Sequence, residues 1–306
     1  MLSRVANALY WMGRYLERAE NLTRCLLVTE DLSTEIHAFN DKLAQAEWND
    51  LLAVFPGKID GASELDHLRG FLTAASNPYS ILFSLGKARE NARAVREALS
   101  VEVFVTLNET YRALEAHASG GIADRADIRD ALSATHTGLL SIVGAVEHTL
   151  SRDQGWLFLK LGESLERVYR TAAILRAKLP GLLASPPDTD IPLYHSQWRS
   201  LLRSLSSLEN YRKLHGAHLE PHAVVDFLLF DPHAPRSIRF GAAAVKSDLE
   251  EISGARELTP PGRIIGRLHA RLCYHDDAGP ALPLLDDVQV ELGKTHDAVD
   301  VLYFGT

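Results

Sequence analysis

The stretch MLSRVANALYWMGRYLERAEN, residues 1–21, decides the fold. Its apolar side chains Val5, Leu9, Met12, Leu16 and Ala19 follow one another at steps of four, three, four and three. That spacing repeats one face of an α-helix, and a long helix from residue 3 to about 38 is expected. The same stretch carries Arg4, Arg14, Glu17 and Arg18, whereas an export signal needs an unbroken apolar run before a small-residue cleavage site.

The pattern continues outward. Leu82, Leu85, Ala88, Ala92, Val95 and Leu99 keep helical spacing, so one helix is expected from Pro78 to about His117, stopped by the Ser-Gly-Gly at 119–121. Helices follow at about 124–150 and 154–179, the second closed by Pro180 and Gly181. The segment PGLLASPPDTDIP, residues 180–192, holds four prolines and reads as an extended connection. Beyond it, helices are expected at about 193–215, 221–230, 236–253, 261–275 and 283–303, with breaks at Pro221, Asp231-Pro232, Pro260-Pro261 and Gly279-Pro280. Strand-like alternation is almost absent. The expectation is an all-α bundle of about ten helices, with no sheet beyond two short strands.

The chain also rhymes with itself. Gly13, Leu16, Glu17 and Arg18 are answered by Gly162, Leu165, Glu166 and Arg167. Trp48, Leu51 and Leu52 recur as Trp198, Leu201 and Leu202, and FLTAASNPYSILF (71–83) as FLLFDPHAPRSIRF (227–240). Three blocks in one order point to a tandem duplication, with halves 1–153 and 154–306 related by pseudo-symmetry within one body. Gly13 should then superpose on Gly162, and Trp48 on Trp198.

Composition narrows the function classes. Hydrophobic residues make up 46% of the 306, enough for a sizeable core. The net charge of -8 argues against general nucleic-acid binding, which needs a basic surface. No apolar run reaches the length of a membrane span. Only Cys25 and Cys273 occur, so no disulfide framework holds the fold, and a reduced, cytoplasmic setting is expected.

The candidate site is the Glu-Arg motif and its neighbours. Residues three and four apart share a helix face, so Glu17 faces Arg14 and Asn21, Glu20 faces Arg24, Glu163 faces Arg167 and Glu166 faces Arg170. Gly13 and Gly162 suggest close approach of another backbone, because glycine inside a helix costs up to about 1 kcal/mol. GKARENARAVREALS (86–100) repeats the theme with Arg89, Glu90, Asn91 and Arg93. Three readings stand: solvated ion pairs, a buried network that fixes helix register, or an arginine site for a carboxylate or phosphate ligand. Metal chemistry finds little support. Only Glu64 and His67 make an Glu-x-x-His pair, where di-iron bundles need two. His215, His218 and His222 could bind a metal only if one helix ran through them, against which Pro221 argues. The same caution covers Cys273, His275, Asp276 and Asp277. No cofactor or metal is expected.

YWMGRYLERAEN, ARENARAVREALSVE with LNETY, LGESLERVYRTAAIL, and ENYRKLHGAHLEPHAVVDFLLFDPHAPRSIRF together resemble the alpha-E family, all-helical bacterial proteins with an ER motif. The likeness runs from residue 1 to about 305. It implies, for this chain, the motif positions Glu17, Arg18, Arg89, Glu90, Asn91, Arg93, Glu166 and Arg167. Phe104 departs from the family, whose members tend to have tryptophan there. The resemblance also implies partnership with a circularly permuted ATP-grasp ligase, and with a transglutaminase-like peptidase, in systems that make or attach peptides through amide bonds. Two roles follow: a helper or substrate-presenting subunit, or an enzyme acting on a peptide or amino acid with Glu17 or Glu166 as acid/base beside carboxylate-binding arginines.

Overall fold

The computed structural model describes every residue except 38–39, 58, 60, 62, 122–123, 185–190, 255–258, 275–280 and 306. The described residues form thirteen α-helices and no strand, so the chain is all-α. They are α1 (Ser3–His37), α2 (Asp41–Val54), α3 (Glu64–Thr73), α4 (Ile81–Ala94), α5 (Val101–Gly120), α6 (Arg125–Thr149) and α7 (Gln154–Ala184). Then come α8 (Ile191–Ser204), α9 (Leu208–His215), α10 (Pro221–Phe230), α11 (Ile238–Ser253), α12 (Pro260–Cys273) and α13 (Ala281–Val299), with a π-turn over Asp300–Phe304.

Thirteen exceeds the ten or so expected for identifiable reasons. The segment from Pro78 is two helices, because Ser100 caps α5 by accepting from the Val103 N–H while Leu99 before it is extended. The apolar spacing hid this turn, since Val95 and Leu99 are buried on either side of it. The segment 193–215 also breaks, at Ser206, whose φ of 49° is left-handed. Helices α2 and α3 lie outside the expected set. Pro180 does not stop α7, which continues to Ala184. A proline removes one helical hydrogen bond, and the buried Leu175, Leu179 and Leu182 hold this stretch on the core regardless. The extended connection expected at 180–192 is therefore helical at both ends; residues 185–190, like His275, Asp276, Asp277 and Gly279-Pro280, lie outside the described residues.

The chain packs as two compact units, Met1–Leu27 with Phe55–Glu166 and Tyr303–Thr306, and Val28–Val54 with Arg167–Leu302. Helices α1 and α7 each give their first part to the first unit and the remainder to the second. In the first unit α3 packs on α4, α5 and α6, α4 on α5, and α5 on α6. In the second, α10 packs on α9, α11 and α12, α11 on α12, and α12 on α13. The Pro-x-Ser-Ile-x-Phe stretches 78–83 and 235–240 carry the same kind of helix cap. Ser80 caps α4 by accepting from the Phe83 N–H at 3.0 Å, and Ser237 caps α11 by accepting from the Phe240 N–H at 3.0 Å. The serine amides donate to the carbonyls three residues back, Asn77 and Ala234, at 2.9 Å in both cases.

Candidate functional site

In the first unit α1 and α7 touch backbone to backbone. A Cβ at Gly13 would stand 2.1 Å from the Leu159 carbonyl oxygen, and one at Gly162 would stand 2.0 Å from the Tyr10 carbonyl oxygen. Both are far inside van der Waals contact, so only glycine allows this crossing. The contact is reciprocal: each glycine meets the carbonyl three residues before the other, Tyr10 ahead of Gly13 and Leu159 ahead of Gly162.

The crossing brings arginines of α1 onto a glutamate of α7. Arg14 donates from Nε to Glu166 Oε2 at 2.8 Å, and its Nη2 lies 2.8 Å from the same oxygen. Arg18 donates from Nε to Oε1 at 2.8 Å and from Nη2 to Oε2 at 3.2 Å. Glu166 is wholly buried, and four charge-assisted contacts occupy both its oxygens. Aromatic rings back the cations: Arg14 lies 5.1 Å from the centre of Trp11 and Arg18 5.2 Å from that of Tyr15, while the Tyr10 hydroxyl accepts from Arg14 Nη1 at 3.4 Å. Burial works to lower the pKa of each arginine, but the Glu166 carboxylate outweighs it and holds both above their ordinary range. Two cations around one anion leave this triad with a net positive charge. It clamps one helix register, and it leaves Glu166 no oxygen facing outward.

The other expected residues fall around it. Glu17 and Asn21 are buried on α1, and Arg167 is half-buried on α7. Glu20 forms the expected ion pair with Arg24 and also meets His136 of α6 at 3.5 Å. Arg24 is buried; Glu20 first, then Cys25 and Glu17, outweigh that burial and raise its pKa. The middle block makes a second cluster in the same unit. Arg89 donates to Asn108 and lies 5.0 Å from the ring centre of Tyr111. Asn91 donates to the Lys87 carbonyl at 2.9 Å, Glu90 pairs with Lys87 at the surface, and Arg93 is exposed. Tyr15 and Phe83 meet edge to face at 6.5 Å between α1 and α4.

Within the second unit lies a polar cluster that the Glu-Arg motif did not indicate. Glu47 of α2 pairs with Lys178 of α7 and accepts from Gln197 Nε2 of α8 at 3.3 Å, all three buried. Burial pushes the nearby Asp50 carboxyl up to about 6, against the pull of Lys178 and with a smaller push from Glu47. A signal existed: Glu47 and Gln197 immediately precede Trp48 and Trp198, both fully buried, in the second repeated block. Of the three histidines, His215 ends α9 and stacks on Tyr211, His218 stands between helices and pairs with Glu220, and His222 lies in α10. No single helix joins them. Glu64 is engaged by Arg125. Among the described residues, no group of three or more His, Cys, Asp or Glu is placed to hold a metal, and no helix is long and apolar enough to cross a membrane.

Residues 1–304 match the family model Alpha-E, described as a predicted alpha-helical domain with a conserved ER motif. An uncharacterized protein of Mycobacterium bovis is 28% identical over 292 residues, as is one of Mycobacterium tuberculosis strain CDC 1551; one of strain H37Rv is 27% identical. Each alignment covers 88% of this chain and 32% of the relative, so the chain spans about a third of the length of these relatives. No solved structure matches the chain. With residues 1–304 matched by the family model, the chain belongs to the Alpha-E family.

Proposed function

We propose that the chain is a cytoplasmic helper or substrate-presenting subunit of an amidoligase system, working beside a circularly permuted ATP-grasp ligase and in some settings a transglutaminase-like peptidase. The observation that carries this reading is the state of Glu166. Its oxygens are spent on Arg14 and Arg18 and its side chain is closed to solvent, so the motif serves helix packing where an enzyme would need a carboxylate facing substrate. The relatives support it from another side, because the matched stretch makes up about a third of longer chains, as an accessory module does. We also read the chain as a duplicated unit. The matching serine caps and the reciprocal glycine contacts support that reading.

The test is native purification of the tagged protein from its own cells, followed by identification of bound protein and reconstitution of amide-bond formation. An ATP-grasp ligase should co-purify, and its product should require this chain. Amide formation or hydrolysis by the chain alone would contradict the helper reading. A catalytic reading has one observation in its favour, the Asp50 carboxyl at about 6, in the range of a general acid or base. Loss of such stand-alone activity in Asp50→Asn would establish it.

A further inference from the structure

In the first unit, a cavity of about 520 Å³ lies where the first turn of α1 meets the end of α4 and the 3-10 turn after it, Arg96–Ala98. Its charged lining is Arg4, Arg93, Arg96 and Glu97, three guanidiniums against one carboxylate, in a chain whose net charge is -8. Among the described residues Arg4 and Arg93 have no ion-pair or hydrogen-bond partner. Arg4 stands in the first turn of α1, which holds no acidic residue, so the positive end of the helix adds to its charge. Arg96 is held in place: its Nη1 donates to the Leu99 carbonyl at 3.0 Å and its guanidinium lies 4.6 Å from the ring centre of Phe104. The same cavity has an apolar side, formed by Val5 and by Leu2, which is 63% exposed.

Charge left uncompensated in a concave site of this size, within the range of small-molecule pockets, is suited to an anion. A bare inorganic ion would leave most of the volume and the apolar wall unused. We propose that this cavity binds a small organic dianion. Its charged group is held by the guanidinium forks of Arg93 and Arg96, with Arg4 adding attraction, and its body rests against Leu2 and Val5. Guanidiniums accept phosphate and carboxylate alike, so two negative charges on an organic body are the shared chemistry. The proposal stands apart from the helper reading, since none of these residues belongs to the Glu166 clamp.

Calorimetric titration of the full chain with phenyl phosphate and with isophthalate, two dianions on the same ring, tests it, with benzamide as the neutral control. Saturable binding of at least one dianion is expected, with none of benzamide and weakening as salt rises. Phenyl phosphate alone would mark the ligand as a phosphate ester, isophthalate alone as a dicarboxylate, and both as a charge-selected dianion of either kind. Arg93→Gln and Arg96→Gln should each weaken binding about tenfold or more. Arg93 is exposed, so its variant should melt like the parent, and it decides the matter if Arg96→Gln disturbs the turn. The proposal is overturned if neither dianion saturates by about 10 mM, or if Arg93→Gln binds as tightly as the parent.

Discussion

Two of the buried carboxylates, Glu166 and Glu47, are treated in opposite ways. Glu166, in the first unit, has two guanidiniums around it and aromatic rings behind them. Glu47, in the second, has one ammonium, Lys178, and one amide, Gln197, with a second carboxyl, Asp50, close by. The first cluster has cation to spare and the second shares one cation between two acids. A surplus of arginine makes a fixed clamp, since guanidinium keeps its charge across the whole working range of pH. In the second cluster the Asp50 carboxyl answers to protons, because burial raises its pKa further than the shared Lys178 lowers it.

The largest effect should come from removing the anion of the clamp. Glu166→Ala leaves the buried Arg14 and the part-buried Arg18 without their shared anion, and an uncompensated buried charge costs about 3–5 kcal/mol. Denaturant unfolding should show a lowered midpoint of that order, and a loss within experimental error would place the clamp at the surface in energetic terms. Next comes the crossing that carries the clamp. Gly13→Ala puts a Cβ against the Leu159 carbonyl and should cost about 1–3 kcal/mol, with Gly162→Ala behaving alike at the Tyr10 carbonyl. Unequal costs would show that the reciprocal contact is not shared evenly.

The smallest effect belongs to the second cluster and depends on pH. The Asp50 pKa is raised on folding, so protonation favours the folded state. Its contribution is full below about pH 4, near the unfolded pKa, and is lost as pH rises through about 6. Asp50 is part-exposed, and solvent screening trims the effect to about 1 kcal/mol. Unfolding free energies from pH 4 to 7 should fall more steeply in the parent than in Asp50→Asn. Parallel profiles would remove Asp50 from the cluster's titration.

Much of this fold could be read from residues alone, because α1, α6, α10 and α12 show their apolar face and their end signals locally. What escaped was tertiary. The turn at Val95–Leu99 keeps helical spacing while reversing the chain, and the break at Ser206 needs a left-handed serine that no pattern announces. Pro180 was a stop signal overridden by the buried leucines around it. The site divides the same way. Glu20 with Arg24 follows from a spacing of four, but the partners of Glu166 lie 152 and 148 residues away and on another helix. Only the two glycines hinted at that crossing.

The claim that the Glu-Arg motif is a buried clamp is tested most directly by a double-mutant cycle on Arg18 and Glu166. Unfolding free energies of the parent, Arg18→Met, Glu166→Gln and the double variant give the coupling between the two side chains. A coupling of about 1.5–3 kcal/mol is expected for a pair that shares desolvation and two hydrogen bonds. Additive losses, with coupling below about 0.5 kcal/mol, would contradict it.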